Sequence, residues 1–293
     1  MTDIDHRPRR SCLYMPASNA RALEKAKTLS ADTIIFDLED AVAPEAKSEA
    51  RAQACAAVTS GDYGPRELVV RINGMDTEWF ADDLQQVCAS GAAAILVPKI
   101  RSAADIVTLT ERMAKANAEN TTRLWAMIEM PLAVLNIGEI AAQAERGRLS
   151  AFVMGFNDLA KEMRAEQDRA LFTPAMAQTV MAARAHGMAV LDSVYNDFKD
   201  PEGLEAECRQ GRKYGFDGKT LIHPSQIAIA NRIFAPGGDQ IAEARAIVAA
   251  FADPANTGKG VITVDGKMTE ILHLRQAEQT LAFAEMIATR DSG

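Results

Sequence analysis

Trp125-Ala126-Met127-Ile128-Glu129-Met130-Pro131 and, further on, Met154-Gly155-Phe156-Asn157-Asp158 are short apolar runs that each lead to a carboxylate. A continuous apolar run of strand length reads as a strand buried on both faces. The closing acid then sits where the strand hands over to a loop. Neighbours in a parallel sheet lie about 5 Å apart, so Glu129 and Asp158 are expected side by side. Two bare carboxylates that close repel unless a proton or a cation lies between them. A hard cation such as Mg²⁺ takes a few oxygens and keeps its waters, which makes the pair a candidate metal grip.

Outward from that pair, similar runs recur along the chain, at residues 11–15, 33–36 leading into Asp37-Leu38-Glu39-Asp40, 68–73, 94–97 before Pro98-Lys99, 189–194, and 219–222 before His223-Pro224. Between them lie helical patterns, among them 21–29, 44–58, 78–90, 103–117, 134–144 and 174–186, several stopping near Gly91, Gly147 or Gly187. Eight strand-then-helix units in series give an α/β class and predict a (β/α)₈ TIM barrel over residues 1–235. The rival, a doubly wound open sheet, would use fewer strands and usually a glycine-rich phosphate turn, which this sequence lacks. The pattern changes beyond the eighth run. Residues 227–234 and 241–251 read as helices, 261–264 with Asp265-Gly266 as a hairpin, and 270–289 as a last helix. Residues 236–293 are therefore expected to form a C-terminal helical and hairpin lid extension.

A net charge of −8 argues against nucleic-acid or membrane-surface partners, though not against a local basic pocket. No apolar run has the length to span a bilayer. The polar stretch 1–10 shows no secretion signal. Cys12, Cys55, Cys88 and Cys208 form no paired spacing and read as reduced packing residues of a cytoplasmic protein.

Active sites of such barrels gather at the C-terminal ends of the strands. Those ends carry Asp37, Glu39, Asp40, Arg71, Lys99, Glu129, Asp158, Asp192 and His223. Each has a plainer reading as a solvated charge or a barrel-mouth ion pair. Arg71 offers a planar fork for a substrate carboxylate, or a salt bridge to Asp37, Glu39 or Asp40, and the two roles are compatible. Lys99 reads as an ion-pairing residue before a Schiff-base amine, and His223 as a packing histidine. Ser18 or Asn19 caps a helix. The functional alternative has that helix start, with Arg21, Lys25 and Lys27 and with Arg9 and Arg10 nearby, receiving phosphate groups.

Arg10-Ser11-Cys12-Leu13-Tyr14-Met15-Pro16-Ala17-Ser18, Phe36-Asp37-Leu38-Glu39-Asp40-Ala41-Val42, Val70-Arg71-Ile72-Asn73, Val97-Pro98-Lys99, Ile128-Glu129, Gly155-Phe156-Asn157-Asp158-Leu159 and Ile222-His223-Pro224 together resemble the citrate lyase β-subunit-like family. This family includes the malyl-CoA, β-methylmalyl-CoA and citramalyl-CoA lyases of the HpcH/HpaI aldolase superfamily. The likeness runs in order over nearly the whole chain. It implies a Mg²⁺-dependent TIM barrel, a homotrimer or homohexamer, that makes or breaks a carbon–carbon bond beside a CoA thioester. By the resemblance, Glu129 and Asp158 are the Mg²⁺ ligands and Arg71 binds the substrate carboxylate or carbonyl. Tyr14, Ser18 and Lys25 fall where coenzyme A is contacted, and Asn157 falls within reach of substrate. The family's lid carries a Gly-Lys-Met-Ile-Asp-like segment whose acid reaches a neighbouring subunit's site. Here the segment is Gly266-Lys267-Met268-Thr269-Glu270, with glutamate in place of aspartate. Glu270, or the nearby Asp265, is the candidate acid/base; the plainer reading has Glu270 merely opening the last helix.

The expected reaction is cleavage of a 3-hydroxyacyl-CoA to acetyl- or propionyl-CoA and a 2-oxoacid. The alternatives are a malyl-CoA thioesterase, a citrate lyase β subunit acting on an acyl-carrier thioester, a pyruvate-type aldolase that needs no CoA, and a catalytically silent barrel that binds a CoA ester.

Overall fold

The computed structural model describes residues 7–116 and 121–291. Asn117, where the fourth expected helix was to end, lies outside them, as does most of the polar N-terminal stretch. In chain order the elements are β1 (Ser11–Pro16), α1 (Ala20–Ala26), β2 (Thr33–Asp37), α2 (Lys47–Thr59), β3 (Glu67–Arg71), α3 (Phe80–Ser90), β4 (Ala94–Val97), α4 (Ala103–Lys115), β5 (Arg123–Ile128), α5 (Pro131–Leu135), α6 (Ile137–Ala142), β6 (Leu149–Met154), α7 (Phe156–Met163), α8 (Thr173–Ala185), β7 (Ala189–Asp192), α9 (Pro201–Tyr214), β8 (Gly218–Leu221), α10 (Ile227–Phe234), α11 (Gly238–Ala252), β9 (Val261–Val264), β10 (Lys267–Glu270) and α12 (Ile271–Asp291). Short 3₁₀ turns punctuate the series, one of them Pro44–Ala46 at the entry to α2.

Strands β1 to β8 close into one barrel, each pairing with the next and β8 returning to β1. All eight seams are parallel. This bears out the (β/α)₈ reading over the open sheet. The continuous apolar runs explain the closure, because residues on both faces of each strand are buried: all of β2 (TIIFD) and β4 (AILV). Side chains pointing into the barrel, among them Ile35, Val69, Leu96, Trp125, Met127, Val153 and Leu191, fill it. Each large one stabilises the fold by about 1.5–3 kcal/mol relative to exposure. The seams differ in extent. β1 and β2 align over five residue pairs from Cys12↔Thr33 to Pro16↔Asp37, whereas β7 and β8 align only at Leu191↔Gly218 and Asp192↔Lys219.

Charge closes the N-terminal end of the barrel. Arg9 grips Glu67 through Nε at 2.6 Å and Nη2 at 2.7 Å, and Arg10 grips Asp32 through Nε at 2.8 Å and Nη2 at 2.9 Å. All four residues are buried. This corrects the expectation that Arg9 and Arg10 add to a phosphate site at the start of α1: they precede β1, and that helix follows it.

Two local expectations are also corrected. The sixth strand is residues 149–154, not 154–158: the chain leaves the sheet at Gly155 and turns into α7. The expected helix 134–144 is two short ones, starting earlier at Pro131, a residue suited to a helix's first turn. They are broken at Asn136, whose side chain donates to the Arg101 carbonyl at 3.0 Å. α7 and α9 supply helices for which no boundaries were expected.

By compactness the chain divides into two units, one built on Arg9–Arg232 and the other on Ile233–Gly293. In the second, α11 packs along α12, and β9 and β10 pair antiparallel from Lys267↔Val264 to Glu270↔Val261. Asp265 (φ 48°) and Gly266 (φ 76°) are both left-handed, as the tight two-residue hairpin turn demands. Among the described residues, no helix is long and apolar enough to cross a membrane.

Candidate active site

The C-terminal ends of the barrel strands surround a cavity of about 380 Å³ whose walls include Tyr14, Asp37, Asp40, Arg71, Glu129, Asn157 and Asp158. β2 and β3 end in register at Asp37↔Arg71. That puts the two side chains side by side. Arg71 donates to Asp37 through Nε and Nη2, both at 2.7 Å. Its Nη1 lies 3.0 Å from Glu39 Oε2 and 3.2 Å from Asp40 Oδ2. Three of its five N–H groups therefore hydrogen-bond carboxylates, Glu39 lies at ion-pair distance, and the ion pairs considered from sequence are all present. Tyr14 packs its ring under the guanidinium, 4.8 Å from ring centre to Cζ.

These contacts set the charges. Burial pushes the Asp37 carboxyl up, but Arg71 and the N–H groups of Glu39 and Ala41 outweigh it and hold the carboxyl below its ordinary value. Burial disfavours the charged form of Arg71, yet Asp37 holds its pKa well above the usual range. Burial raises the Glu39 carboxyl and the Tyr14 phenol, so Tyr14 is a neutral donor.

Glu129 follows the end of β5 and is 1% exposed. One oxygen, Oε1, accepts the Lys99 backbone N–H at 2.7 Å. Lys99 reaches that position with a left-handed backbone, φ 56°, and its ammonium pairs with Glu39 Oε1 at 3.0 Å. The other oxygen, Oε2, is buried and has no hydrogen-bond partner among the described residues. Burial first, and then the charge of Glu39, pushes the Glu129 carboxyl up to about 8.

Opposite Glu129, Gly155 continues the β6 ladder with its N–H on the Ile128 carbonyl at 3.1 Å. A Cβ on Gly155 would stand 2.6 Å from Glu129 Oε2 and 2.8 Å from Glu129 Cβ. Only glycine lets the backbone pass this carboxylate. The chain then enters α7, whose first N–H, on Phe156, donates to Ser193 Oγ at 3.0 Å. Asp158 thus stands on the first turn of a helix and not at a strand end, yet it lines the same cavity as Glu129. Ser193 is held in turn. Its N–H donates to Asp192 Oδ1 at 2.9 Å, and Asp192 is gripped by Arg169 and the fully buried Lys219.

An orphaned buried carboxylate oxygen beside a second acid fits a divalent cation. Among the described residues no group of three or more His, Cys, Asp or Glu side chains is placed to hold a metal. Two carboxylates with the balance from water and substrate is how Mg²⁺ is commonly bound.

The structure thus brings together Tyr14, Arg71, Glu129, Asn157 and Asp158. Ser18 and Lys25 are exposed and do not line the cavity. Asn19 caps α1 by accepting from the Ala22 N–H at 3.1 Å. Lys27 pairs with Glu24 and Asp62. His223 caps the turn after β8 and stacks on Phe198. Asp265 and Glu270 belong to the second compact unit, where Glu270 ends β10 and its N–H donates to His273 Nδ1. Sequence reasoning gave no role to Gly155, to Ser193 or to the Lys99 N–H. The glycine stood in the motif; the other two act through contacts that no residue spacing encodes.

Compared with known proteins, residues 10–224 match the HpcH/HpaI aldolase/citrate lyase family. The chain is 50% identical over 283 residues to a (3S)-malyl-CoA thioesterase of Cereibacter sphaeroides, covering 96% of each chain. It is 34% identical to the L-malyl-CoA/beta-methylmalyl-CoA lyase of the same species, again over 96% of each. Among solved structures it resembles the protein CitE from Mycobacterium tuberculosis in complex with magnesium, acetoacetate and coenzyme A. That match has a TM-score of 0.75 and 28% identity, and covers 96% of this chain and 99% of the other.

Proposed function

The chain belongs to the HpcH/HpaI aldolase/citrate lyase family, and from that premise we propose that it is a Mg²⁺-dependent enzyme of malyl-CoA-type thioesters whose principal reaction is hydrolysis to malate and coenzyme A. The observation that carries the choice of reaction is the 50% identity, end to end, with (3S)-malyl-CoA thioesterases, against 34% with the lyase. The site supports the substrate class. Glu129 and Asp158 would hold the cation. The Lys99 N–H fixes Glu129 Oε1, which leaves Oε2 for the metal. Arg71, locked by Asp37, is held at the cavity wall, where its guanidinium would meet a substrate oxygen. When bound, Mg²⁺ supplies Lewis acidity to the substrate's oxygens. Tyr14 is a neutral donor beside Arg71, able to hydrogen-bond the same end of the acyl group.

The second reading is carbon–carbon cleavage to acetyl-CoA and glyoxylate. It is favoured by the end-to-end likeness to the malyl-CoA/beta-methylmalyl-CoA lyase. It needs an acid to protonate the departing enolate carbon, for which the family resemblance offers Glu270 or Asp265 from the lid of a neighbouring subunit.

Mass analysis of (3S)-malyl-CoA incubated with the full chain and Mg²⁺ separates the two. Free CoA with four-carbon malate supports hydrolysis; acetyl-CoA with glyoxylate supports cleavage; an unchanged substrate refutes both. Glu129→Gln should lower turnover at least about 100-fold, the loss expected when metal stabilisation of the transition state is removed. Turnover near wild type in that variant would end the metal assignment.

A further inference from the structure

Thioester hydrolysis needs a base to take a proton from the attacking water. Four carboxylates line the barrel cavity: Asp37, Asp40, Glu129 and Asp158. Asp37 is saturated, since both its oxygens accept from Arg71 and from backbone N–H groups. Glu129 and Asp158 are the metal pair. Glu39, close by, gives one oxygen to Lys99 and the other to Arg71.

Asp40 is different. Its side chain is 65% exposed, and among the described residues only Oδ2 has a hydrogen-bond partner, Arg71 Nη1 at 3.2 Å. Oδ1 has no hydrogen bond among the described residues. The carboxylate is therefore accessible to water, oriented, and anchored to the same guanidinium that faces the substrate. The β2 end fixes this placement: Asp37 accepts the Ala41 N–H at 3.1 Å, which folds the 37–41 turn back over the end of β2 and turns Asp40 to the cavity wall.

We propose that Asp40 is the catalytic base that activates water for thioester hydrolysis, with Arg71 Nη1 as its anchor. This rests on the hydrolytic reading of the preceding subsection. Asp40 takes one proton from water as the water oxygen bonds to the thioester carbonyl carbon. The carbon–sulfur bond then breaks, and Asp40 returns the proton to the departing sulfur as CoA thiol. The new carboxylic acid loses its proton to solvent. No oxidant or further reactant enters. The base is thus supplied within the barrel itself, with no call on Glu270.

The test uses the full chain with Mg²⁺ and (3S)-malyl-CoA, following CoA release in the wild type, Asp40→Asn, Asp40→Ala and Glu270→Gln. Asp40→Asn should lower kcat about 100-fold or more, with KM and Mg²⁺ half-saturation within about threefold of wild type. Formate, a small carboxylate, should restore part of the lost rate to Asp40→Ala in a saturable way, which a purely structural role would not allow. Three results overturn the proposal: kcat of Asp40→Asn within about threefold of wild type; a lower KM at unchanged kcat, which would make Asp40 only a competitor for Arg71; or loss of hydrolysis in Glu270→Gln with Asp40→Asn active. A wild type that releases no CoA sinks the hydrolytic reading as well, so the two failures are told apart.

Discussion

Both ends of the barrel bury acids beside bases, and they treat them in opposite ways. At the N-terminal end, Arg9 with Glu67 and Arg10 with Asp32 form two-pronged pairs, all four residues buried. At the C-terminal end, Arg71 and Asp37 repeat that arrangement, but around them the matching is left incomplete. Among the described residues, Glu129 keeps an oxygen without a partner and Asp40 a mostly exposed carboxylate. The same residue types serve as mortar below and as reactive groups above. What separates them is whether every oxygen is answered from within the chain.

Substitution should resolve that contrast by size. Glu67→Gln is expected to have the largest effect on stability, about 3–5 kcal/mol, because it strands a buried arginine. Chemical denaturation reads this out, and kcat of the folded fraction should not change. A large kcat loss there would erase the distinction between the ends.

Asp37→Asn should behave as a floor residue placed at the mouth, costing about 1.5–3 kcal/mol at neutral pH because Arg71 loses its two-pronged partner and keeps only Glu39 and Asp40. The Asp37 carboxyl is held below its ordinary value, so its contribution is present above the unfolded-state pKa and lost as pH falls through the native one. The gap between wild type and variant should start to shrink below about 3.9 and close at more acidic pH. A gap that widens with acid would contradict the ion-pair account.

Gly155→Ala is smaller. A Cβ 2.6 Å from Glu129 Oε2 should cost about 1–3 kcal/mol through overpacking, and should raise the Mg²⁺ concentration needed for half-maximal activity. Normal Mg²⁺ dependence in that variant would separate Gly155 from the metal site. Lys99→Gly should be the mildest. It relieves a left-handed backbone and keeps the N–H on Glu129, while losing a half-exposed ion pair worth about 0–1 kcal/mol. Thermal melting should move little, and Mg²⁺ half-saturation not at all.

The barrel was legible because its strands are continuous apolar runs, and burial on both faces permits nothing else. The hairpin was legible in Asp265-Gly266. Elsewhere local pattern and tertiary contact part company. Met154-Gly155-Phe156 looks like strand, but Gly155 must clear Glu129, so the chain turns there and Asp158 arrives on a helix. The Val134–Ala144 periodicity hides the break that Asn136 makes through Arg101. The grouping of Glu129, Asp158 and Arg71 could be proposed from their places after the apolar runs, although Asp158 stands on a helix and not at a strand end. The accounting of which oxygens are already taken, which sets Asp40 apart from Asp37 and Glu39, needs atomic neighbours and has no sequence signature.

The β7–β8 seam holds one last consequence. Its ladder aligns at only two residue pairs, and Lys219 bridges it by donating to Asp192 at 3.1 Å. A stave joint fastened by charge more than by rungs is where the ring would breathe first. Deuterium should enter there sooner than along β1–β2, and whatever loosens that clasp would be felt through Ser193 by the helix that carries Asp158.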